Sequence, residues 1–244
     1  MRLKLIFCYF FSFATATLGF VFPAFWASLL SCVILMALAR WVAGDRWMLF
    51  IGLQISRTAL IWFGLTFVLA SALIFLVLHL NAELNPGLSF HWQTTWPLIL
   101  LTVLIQSFCE EVLFRTYLTR DFLMKITARP GAVPAIAGCV FSGAHWLNYR
   151  AGEGVHLSAS PLFTLFLLGC CGTLLFVRQG NILGAWGFHA GWNFVRFSFE
   201  VKENAKLVAE SKTFELIEGS RAGLAVAALL LLATFFQPMA KASR

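Results

Sequence analysis

Three groups of polar residues lie within long apolar stretches of this sequence, and their types suit proton transfer and oxyanion stabilisation. In chain order, they are Glu110, Glu111, Arg115, His145, His189 and Asn193. An ionisable group at membrane depth costs roughly 2.5–3.5 kcal/mol even on the mildest insertion scale, so each one is a candidate functional residue. Two carboxylates, two imidazoles, a guanidinium and an amide on three separate apolar segments predict a catalytic site assembled between helices.

The two adjacent glutamates are predicted to have different roles. Successive residues of a helix point about 100° apart, so Glu110 and Glu111 face different directions. Arg115 lies four residues after Glu111 and can form an ion pair with it along the helix. Glu110 is then expected to have no local partner, which suits a general base or acid near neutral pH. The Glu111–Arg115 pair is interpreted as structural support, and direct contact with substrate is the alternative.

The two histidines each share a helix face with one other residue of interest. His145 follows Phe141 by four residues, although a lone histidine in a helix is more often a hydrogen-bonded core residue than a catalyst. His189 and Asn193 are also four residues apart, and both can present N–H donors at one point, as an oxyanion requires. Glycines in this last segment allow a neighbouring helix to approach closely. They are Gly184, Gly187 and Gly191.

The composition is that of an integral membrane protein. Hydrophobic residues make up 60% of the 244 residues and charged residues only 12%, about half the share found in soluble domains. The net charge of +7 is interpreted as membrane topology and lipid-headgroup contact, and no nucleic-acid partner is expected. Six cysteines fall within apolar segments without metal-ligand spacing, which favours small buried apolar residues.

Segments of about 20 mainly apolar residues predict the membrane spans. Eight are predicted, at roughly 4–21, 24–42, 58–80, 96–118, 131–148, 161–177, 182–199 and 222–239. The predicted fold is therefore an all-α, polytopic transmembrane bundle in one domain over residues 1–244, with the motif-bearing core at about 96–200. The site is expected between the fourth, fifth and seventh spans.

The basic residues predict the orientation of the chain. With the N-terminus inside, most Lys and Arg fall on the cytoplasmic side, and the 81–95 loop outside contains neither. Both termini are thus predicted to be cytoplasmic, in a multi-pass protein of the cell (plasma or inner) membrane. The mixed-charge segment 200–221 is expected to be an amphipathic, helix-forming piece at the outer surface.

The predicted boundaries of the fourth and fifth spans place Glu110 and His145 at different depths in the membrane. They can meet if the fourth helix continues through Tyr117–Phe122, or if the fifth helix is tilted or begins late. The sequence TYLTRDFLMKI contains no helix breaker, so an extension of the fourth helix is expected.

The ordered motifs resemble those of the CPBP intramembrane proteases, the group of CAAX prenyl endopeptidases and bacteriocin-processing proteins. They are E-E-x-x-x-R at 110–115, F-x-x-x-H at 141–145 and H-x-x-x-N at 189–193. The resemblance covers about residues 96–200 and implies a glutamic-type intramembrane protease that needs no metal or other cofactor.

The roles of individual residues follow from this resemblance. It implies that Glu110 is the general base that activates water, assisted by His145, and that His189 and Asn193 form the oxyanion hole. Glu111, with Arg115, would support the site. The implied substrate is a membrane-anchored protein or peptide: a CAAX-like protein, a leader peptide or a C-terminal sorting signal.

Two other classes of function are also compatible with the sequence. Glu110, His145 and His189 could be ligands of a zinc-dependent membrane protease, although no H-E-x-x-H motif is present. A non-catalytic membrane chaperone or immunity protein, or a transport protein, would instead use the polar residues to bind a partner or line a pathway.

Overall fold

A computed structural model describes residues 25–127, 129–153 and 158–235. The helices are α1 (Phe25–Ala43), α2 (Trp47–Phe50), α3 (Arg57–Leu84), α4 (Trp96–Glu111), α5 (Met124–Ile126), α6 (Val133–Glu153), α7 (Ala159–Gln179), α8 (Leu183–Ser198), α9 (Glu210–Ile217) and α10 (Arg221–Phe235). A π-helix (Val112–Leu123) joins α4 to α5, and 3₁₀ turns lie at Gly44–Arg46 and Pro130–Ala132. The predicted all-α polytopic bundle is confirmed.

Four of the described helices are long and apolar enough to cross a membrane. They are Ser28–Phe50, Arg57–Leu84, Trp96–Ile126 and Ala159–Gln179, and two shorter apolar helices lie at Val133–Leu147 and Arg221–Phe235. The predicted first span, 4–21, lies outside the described residues, and the count of eight spans stays a prediction.

The helix that carries both glutamates continues well beyond its predicted end at residue 118. It runs through α4, the π-helix and α5 as 31 residues from Trp96 to Ile126, about 46 Å at 1.5 Å per residue. Within the π-helix, the Thr119 side-chain hydroxyl also donates to the carbonyl of Phe114, five residues earlier (2.8 Å). The expected extension through Tyr117–Phe122 is therefore observed.

The glycines of α8 pack directly on α3, as their spacing predicts. A Cβ atom added at Gly187 or Gly191 would collide with the backbone carbonyl of Phe63 or Phe67 on α3. The Thr66 hydroxyl also donates to the Gly184 carbonyl (2.8 Å). This close contact fixes one face of α8, so the opposite face, which carries His189 and Asn193, is held in a defined direction.

A small antiparallel sheet caps one end of the bundle and corrects the helical expectation for residues 200–221. Its strands are β1 (Leu88–Trp92), β2 (Phe199–Glu203) and β3 (Lys206–Leu207), in the order β1-β2-β3. Only Glu210–Ile217 of that segment is helical before α10 begins at Arg221.

The β2–β3 hairpin forms because its turn residues adopt left-handed backbone conformations. Asn204 (φ 50°) and Ala205 (φ 65°) both have positive φ, as a tight turn matching the twist of the strands requires. The pairing of Trp92 with Phe199 places their rings edge-to-face at 4.9 Å. The sheet thereby ties the start of α4 to the end of α8, the two helices that carry the predicted catalytic groups.

The cysteines follow their prediction with one exception. Cys32, Cys109, Cys170 and Cys171 are buried, whereas Cys139 is exposed, so the prediction is wrong at that position. Residue 139 lies in the apolar helix α6, where a side chain facing away from the bundle is exposed. Cys8 lies outside the described residues.

Candidate active site

The Glu111–Arg115 ion pair predicted from their spacing is present and fully buried. Arg115 Nε donates to Glu111 Oε2 (2.8 Å) and Nη2 donates to Oε1 (3.2 Å). Arg115 Nη1 also donates to the carbonyl of Gly169 (3.2 Å) and to the hydroxyl of Thr173 (3.1 Å) on α7. Burying a charge is costly unless it is paired and hydrogen-bonded. This guanidinium has an opposite charge as one partner and neutral hydrogen-bond acceptors as the others.

A glycine on α7 makes room for this guanidinium. A Cβ atom added at Gly172 would lie 2.6 Å from Arg115 Nη2 and 2.9 Å from its Cζ. Because Gly169, Gly172 and Thr173 are all small, α7 can pass close to the helix that carries the glutamates. The three residues form a cradle for Arg115, hereafter the α7 cradle.

Glu111 also holds a histidine on α8. His189 Nδ1 lies 2.9 Å from Glu111 Oε1, and both side chains are buried. A carboxylate only accepts hydrogen bonds, so the Nδ1 proton of His189 is donated to Glu111. The chain of contacts Arg115–Glu111–His189 therefore joins α7, the long helix and α8, and it fixes the orientation of the His189 ring.

Glu110 lies beside both predicted catalytic histidines. Its Oε2 is 3.6 Å from His189 Nε2 and 4.0 Å from His145 Nε2, too far for direct hydrogen bonds but close enough for a bridging water. Oε2 is buried and has no hydrogen-bond partner among the described residues. The expectation that Glu110 has no local partner is wrong for its other oxygen, because Gln106 Nε2 donates to Oε1 (3.2 Å).

The ring of His145 is oriented by its own helix. Its Nδ1 lies 3.0 Å from the carbonyl of Phe141, one turn earlier. A carbonyl can only accept, so Nδ1 carries the proton, and in the neutral ring Nε2 presents a lone pair towards Glu110. The centre of the Phe141 ring lies 4.5 Å from that of the His145 ring and 5.7 Å from that of the His189 ring, so it packs against both imidazoles.

Asn193 lies one turn beyond His189 on α8 and is half-buried. It shares the helix face of His189, as its spacing predicts. The structure thus brings Glu110, Glu111, Arg115, His145 and His189 together in direct or near contact. Asn193 is placed beside that group by its helix position alone.

Comparison with known proteins gives one match. Residues 91–195 match the family model of the type II CAAX prenyl endopeptidase Rce1-like proteins. Over these residues, which are fewer than half of the chain, the chain is similar to that family. The match spans all three motifs, so the resemblance inferred from them is confirmed. No curated protein and no solved structure matches the chain.

The Rce1-like description names an endopeptidase, so the match supports a CAAX-type membrane protease in general and agrees with the expected enzyme class. The matched region begins within β1 and ends near the end of α8, and it therefore contains the two helices that the sheet joins. Within the described parts of the chain, no group of three or more His, Cys, Asp or Glu side chains is placed to hold a metal ion.

Sequence reasoning missed several residues that support the candidate site. Gln106 precedes Glu110 by four residues, so the same spacing rule that paired Glu111 with Arg115 could have found it. The α7 cradle contacts Arg115 from another helix. The spacing of the cradle residues does not identify Arg115 as their partner. The small residues of α7 could have indicated a close helix contact there.

Proposed function

We propose that this protein is a glutamic-type intramembrane endopeptidase in which Glu110 is the general base. The buried Oε2 atom of Glu110, which faces two imidazole rings and has no hydrogen-bond partner among the described residues, carries the proposal. A carboxylate oxygen at this position is suited to accept a proton from a water molecule. The Rce1-like match supports the same class of reaction.

The first step is the activation of water. A water molecule bound between Glu110 Oε2 and His145 Nε2 would be in reach of two proton acceptors. Its oxygen attacks the carbonyl carbon of the scissile peptide bond, and its proton passes to Glu110, assisted by His145. The hydrogen bond between His145 Nδ1 and the Phe141 carbonyl keeps Nε2 directed at this point.

The second step is stabilisation of the tetrahedral intermediate. The Nδ1 proton of His189 is donated to Glu111, so a hydrogen bond to the oxyanion must come from Nε2. Nε2 carries a proton as well only when the ring is doubly protonated. The amide of Asn193 is the second donor. Collapse of the intermediate breaks the C–N bond, and the proton held by Glu110 passes to the leaving amine.

Glu111 and Arg115 act as positioning residues in this account. Arg115 holds the Glu111 carboxylate in place against Nδ1 of His189. This negative charge favours the doubly protonated His189 ring, which is the form that can donate to the oxyanion. They touch no reacting atom. Loss of either is therefore expected to act through His189 and through the stability of the fold.

The proposed substrate is a membrane-anchored protein or peptide, cleaved near its anchored end. The description of the matching family favours a lipid-anchored, CAAX-like substrate; leader peptides and C-terminal sorting signals are the alternatives. The proposed location is the cell membrane with both termini cytoplasmic, in agreement with the distribution of basic residues.

Proteolysis by the purified chain in lipid vesicles tests this function. The probe is a peptide with an S-farnesylated cysteine followed by three aliphatic residues, and released fragments are identified by mass spectrometry. Cleavage that continues after metal chelation, by protein without bound zinc, is the expected result. Stoichiometric zinc that is lost in His189→Ala would contradict the glutamic mechanism and support a zinc protease. Binding of a partner protein without any cleavage would support the non-catalytic alternative.

A further inference from the structure

A second buried ion pair lies where α8 meets the connection between α9 and α10. Arg196 Nε, on α8, is 3.1 Å from Glu218 Oε1, and both side chains are almost fully buried. The indole N–H of Trp192, also on α8, donates to the same carboxylate oxygen (3.2 Å). Glu218 lies outside residues 91–195, so the family match does not include it.

One carboxylate oxygen therefore contacts α8 at both ends of a single turn. Trp192 and Arg196 are four residues apart, so they lie on the same helix face, one turn from each other. Asn193, the second proposed oxyanion donor, lies within this turn, and its direction around the helix differs from that of Arg196 by about 60°. The contacts that hold Trp192 and Arg196 thus also hold the turn that presents the Asn193 amide.

Glu218 is anchored independently of α8. The Thr164 hydroxyl, on α7, donates to the backbone carbonyl of Glu218 (2.7 Å). From α3, Asn81 Nδ2 donates to the carbonyl of Leu216, two residues earlier (3.1 Å). Because two other helices hold the backbone around Glu218, its carboxylate is a fixed point against which this turn of α8 is placed.

The guanidinium of Arg196 adds a further contact between α8 and α9. It lies 4.8 Å from the centre of the Phe214 ring, on α9, and such a contact is favourable when the charge is desolvated. Phe214 belongs to the apolar cluster that also contains Phe141, which packs against both proposed catalytic histidines. The ion pair is therefore continuous with the packing of the candidate site.

The two proposed oxyanion donors are held in different ways. The ring of His189 is oriented by its hydrogen bond with Glu111 (2.9 Å). Asn193 is placed beside the site by its position on α8, so the location of its amide depends on where this turn of the helix lies. A misplacement of about 1 Å in an active site can cost about 100-fold in rate. Small shifts of the turn are therefore expected to affect catalysis.

We propose that Glu218 is a positioning residue for the oxyanion hole, which fixes the Asn193 amide through Trp192 and Arg196. The hydrogen bond from Asn193 to the oxyanion is made mainly in the transition state, so loss of its correct placement lowers kcat and leaves KM nearly constant. This role requires no contact between Glu218 and a reacting atom. The inference rests on the proposed function and adds a residue that supports its second step.

Two substitutions remove the two halves of this contact separately. Glu218→Gln keeps an acceptor for the Trp192 indole but removes the charge opposite Arg196, whereas Trp192→Phe removes the indole N–H and keeps the ion pair. The purified full chain, in lipid vesicles, is given the S-farnesylated peptide, and kcat is expressed per folded protein. Glu218→Gln is expected to lower kcat about 10- to 100-fold with little change in KM. Trp192→Phe should give a smaller loss of the same kind, and it decides the case if Glu218→Gln fails to fold.

The same substitutions in the Asn193→Ala background distinguish positioning from a general structural role. If Glu218 acts through Asn193, either substitution should change kcat by less than about 2-fold in that background. Equal fold losses in both backgrounds, a loss confined to KM, or an unchanged kcat in both variants would overturn the inference and leave the proposed function intact. A kcat like that of the wild type in Asn193→Ala alone would contradict the oxyanion step of the proposed function, and the inference with it.

Glu215 provides the matched control on the same segment. Its carboxylate accepts hydrogen bonds from the backbone N–H and the hydroxyl of Ser158, at the start of α7, and so it anchors the segment to a different helix. Glu215→Gln is expected to keep a kcat close to that of the wild type. A loss as large as that in Glu218→Gln would show that general loosening of the segment lowers kcat, and it would overturn the specific role of Glu218.

Discussion

Removal of Arg115 is expected to destabilise the protein more than the loss of any exposed ion pair. Its side chain is 2% exposed and that of Glu111 is fully buried, and the guanidinium makes two hydrogen bonds to Glu111 and two to the α7 cradle. Arg115→Ala leaves the Glu111 charge buried with His189 as its remaining partner. Breaking a buried pair in this way costs about 3–5 kcal/mol, a large part of the roughly 5–15 kcal/mol that stabilises a typical protein.

A double-mutant cycle measures this coupling. The free energy of unfolding is determined in mixed detergent micelles for the wild type, Glu111→Gln, Arg115→Ala and the double variant. The double variant is expected to recover about 1–3 kcal/mol relative to the sum of the single losses, because neither charge is left unpaired. The matched control is Lys125→Ala, which removes the exposed partner of Asp121 at the same i,i+4 spacing on the same long helix and should cost less than about 1 kcal/mol. Strict additivity of the two single losses would refute the coupling.

Three further substitutions test other parts of the account. Gly172→Ala should lower stability by about 1–3 kcal/mol and reduce turnover, because its methyl group would lie 2.6 Å from Arg115 Nη2. Gly143→Ala, which meets nothing within 4 Å, should be neutral or stabilising, and equal losses in the two variants would contradict this reasoning. Asn193→Ala should lower kcat about 10²–10³-fold with little change in KM; a change confined to KM would exclude an oxyanion role. Ala205→Gly should raise the free energy of unfolding by about 0.5–1 kcal/mol in thermal unfolding experiments, because glycine adopts the φ of 65° without strain, and a lower melting temperature would contradict the turn assignment.

Local helix geometry explains why part of the site could be predicted from the sequence. Glu111 with Arg115, and His189 with Asn193, are one turn apart, so their shared faces follow from residue spacing alone. The extension of the fourth helix also followed from a local feature, the absence of a breaker after Tyr117. The π-helical geometry of that extension was not predicted, because residue spacing does not distinguish backbone bonds five residues apart from those four residues apart.

Contacts between distant segments could not be predicted in the same way. The hydrogen bond from His189 to Glu111 joins residues 78 positions apart, and its formation depends on how α8 packs against the long helix. The sheet was missed for a related reason. β2 has only five residues with mixed charges, and it is stabilised by pairing with β1, more than 100 residues earlier in the chain.

Turnover by a purified Glu110→Gln variant tests the central claim most directly. Glutamine keeps the shape of the side chain and can still accept from Gln106 at its carbonyl oxygen, but it cannot take a proton from water. We expect kcat to fall by about 10²–10⁴-fold or more, while membrane insertion and the unfolding transition stay close to those of the wild type. Turnover like that of the wild type would contradict a general-base role for Glu110.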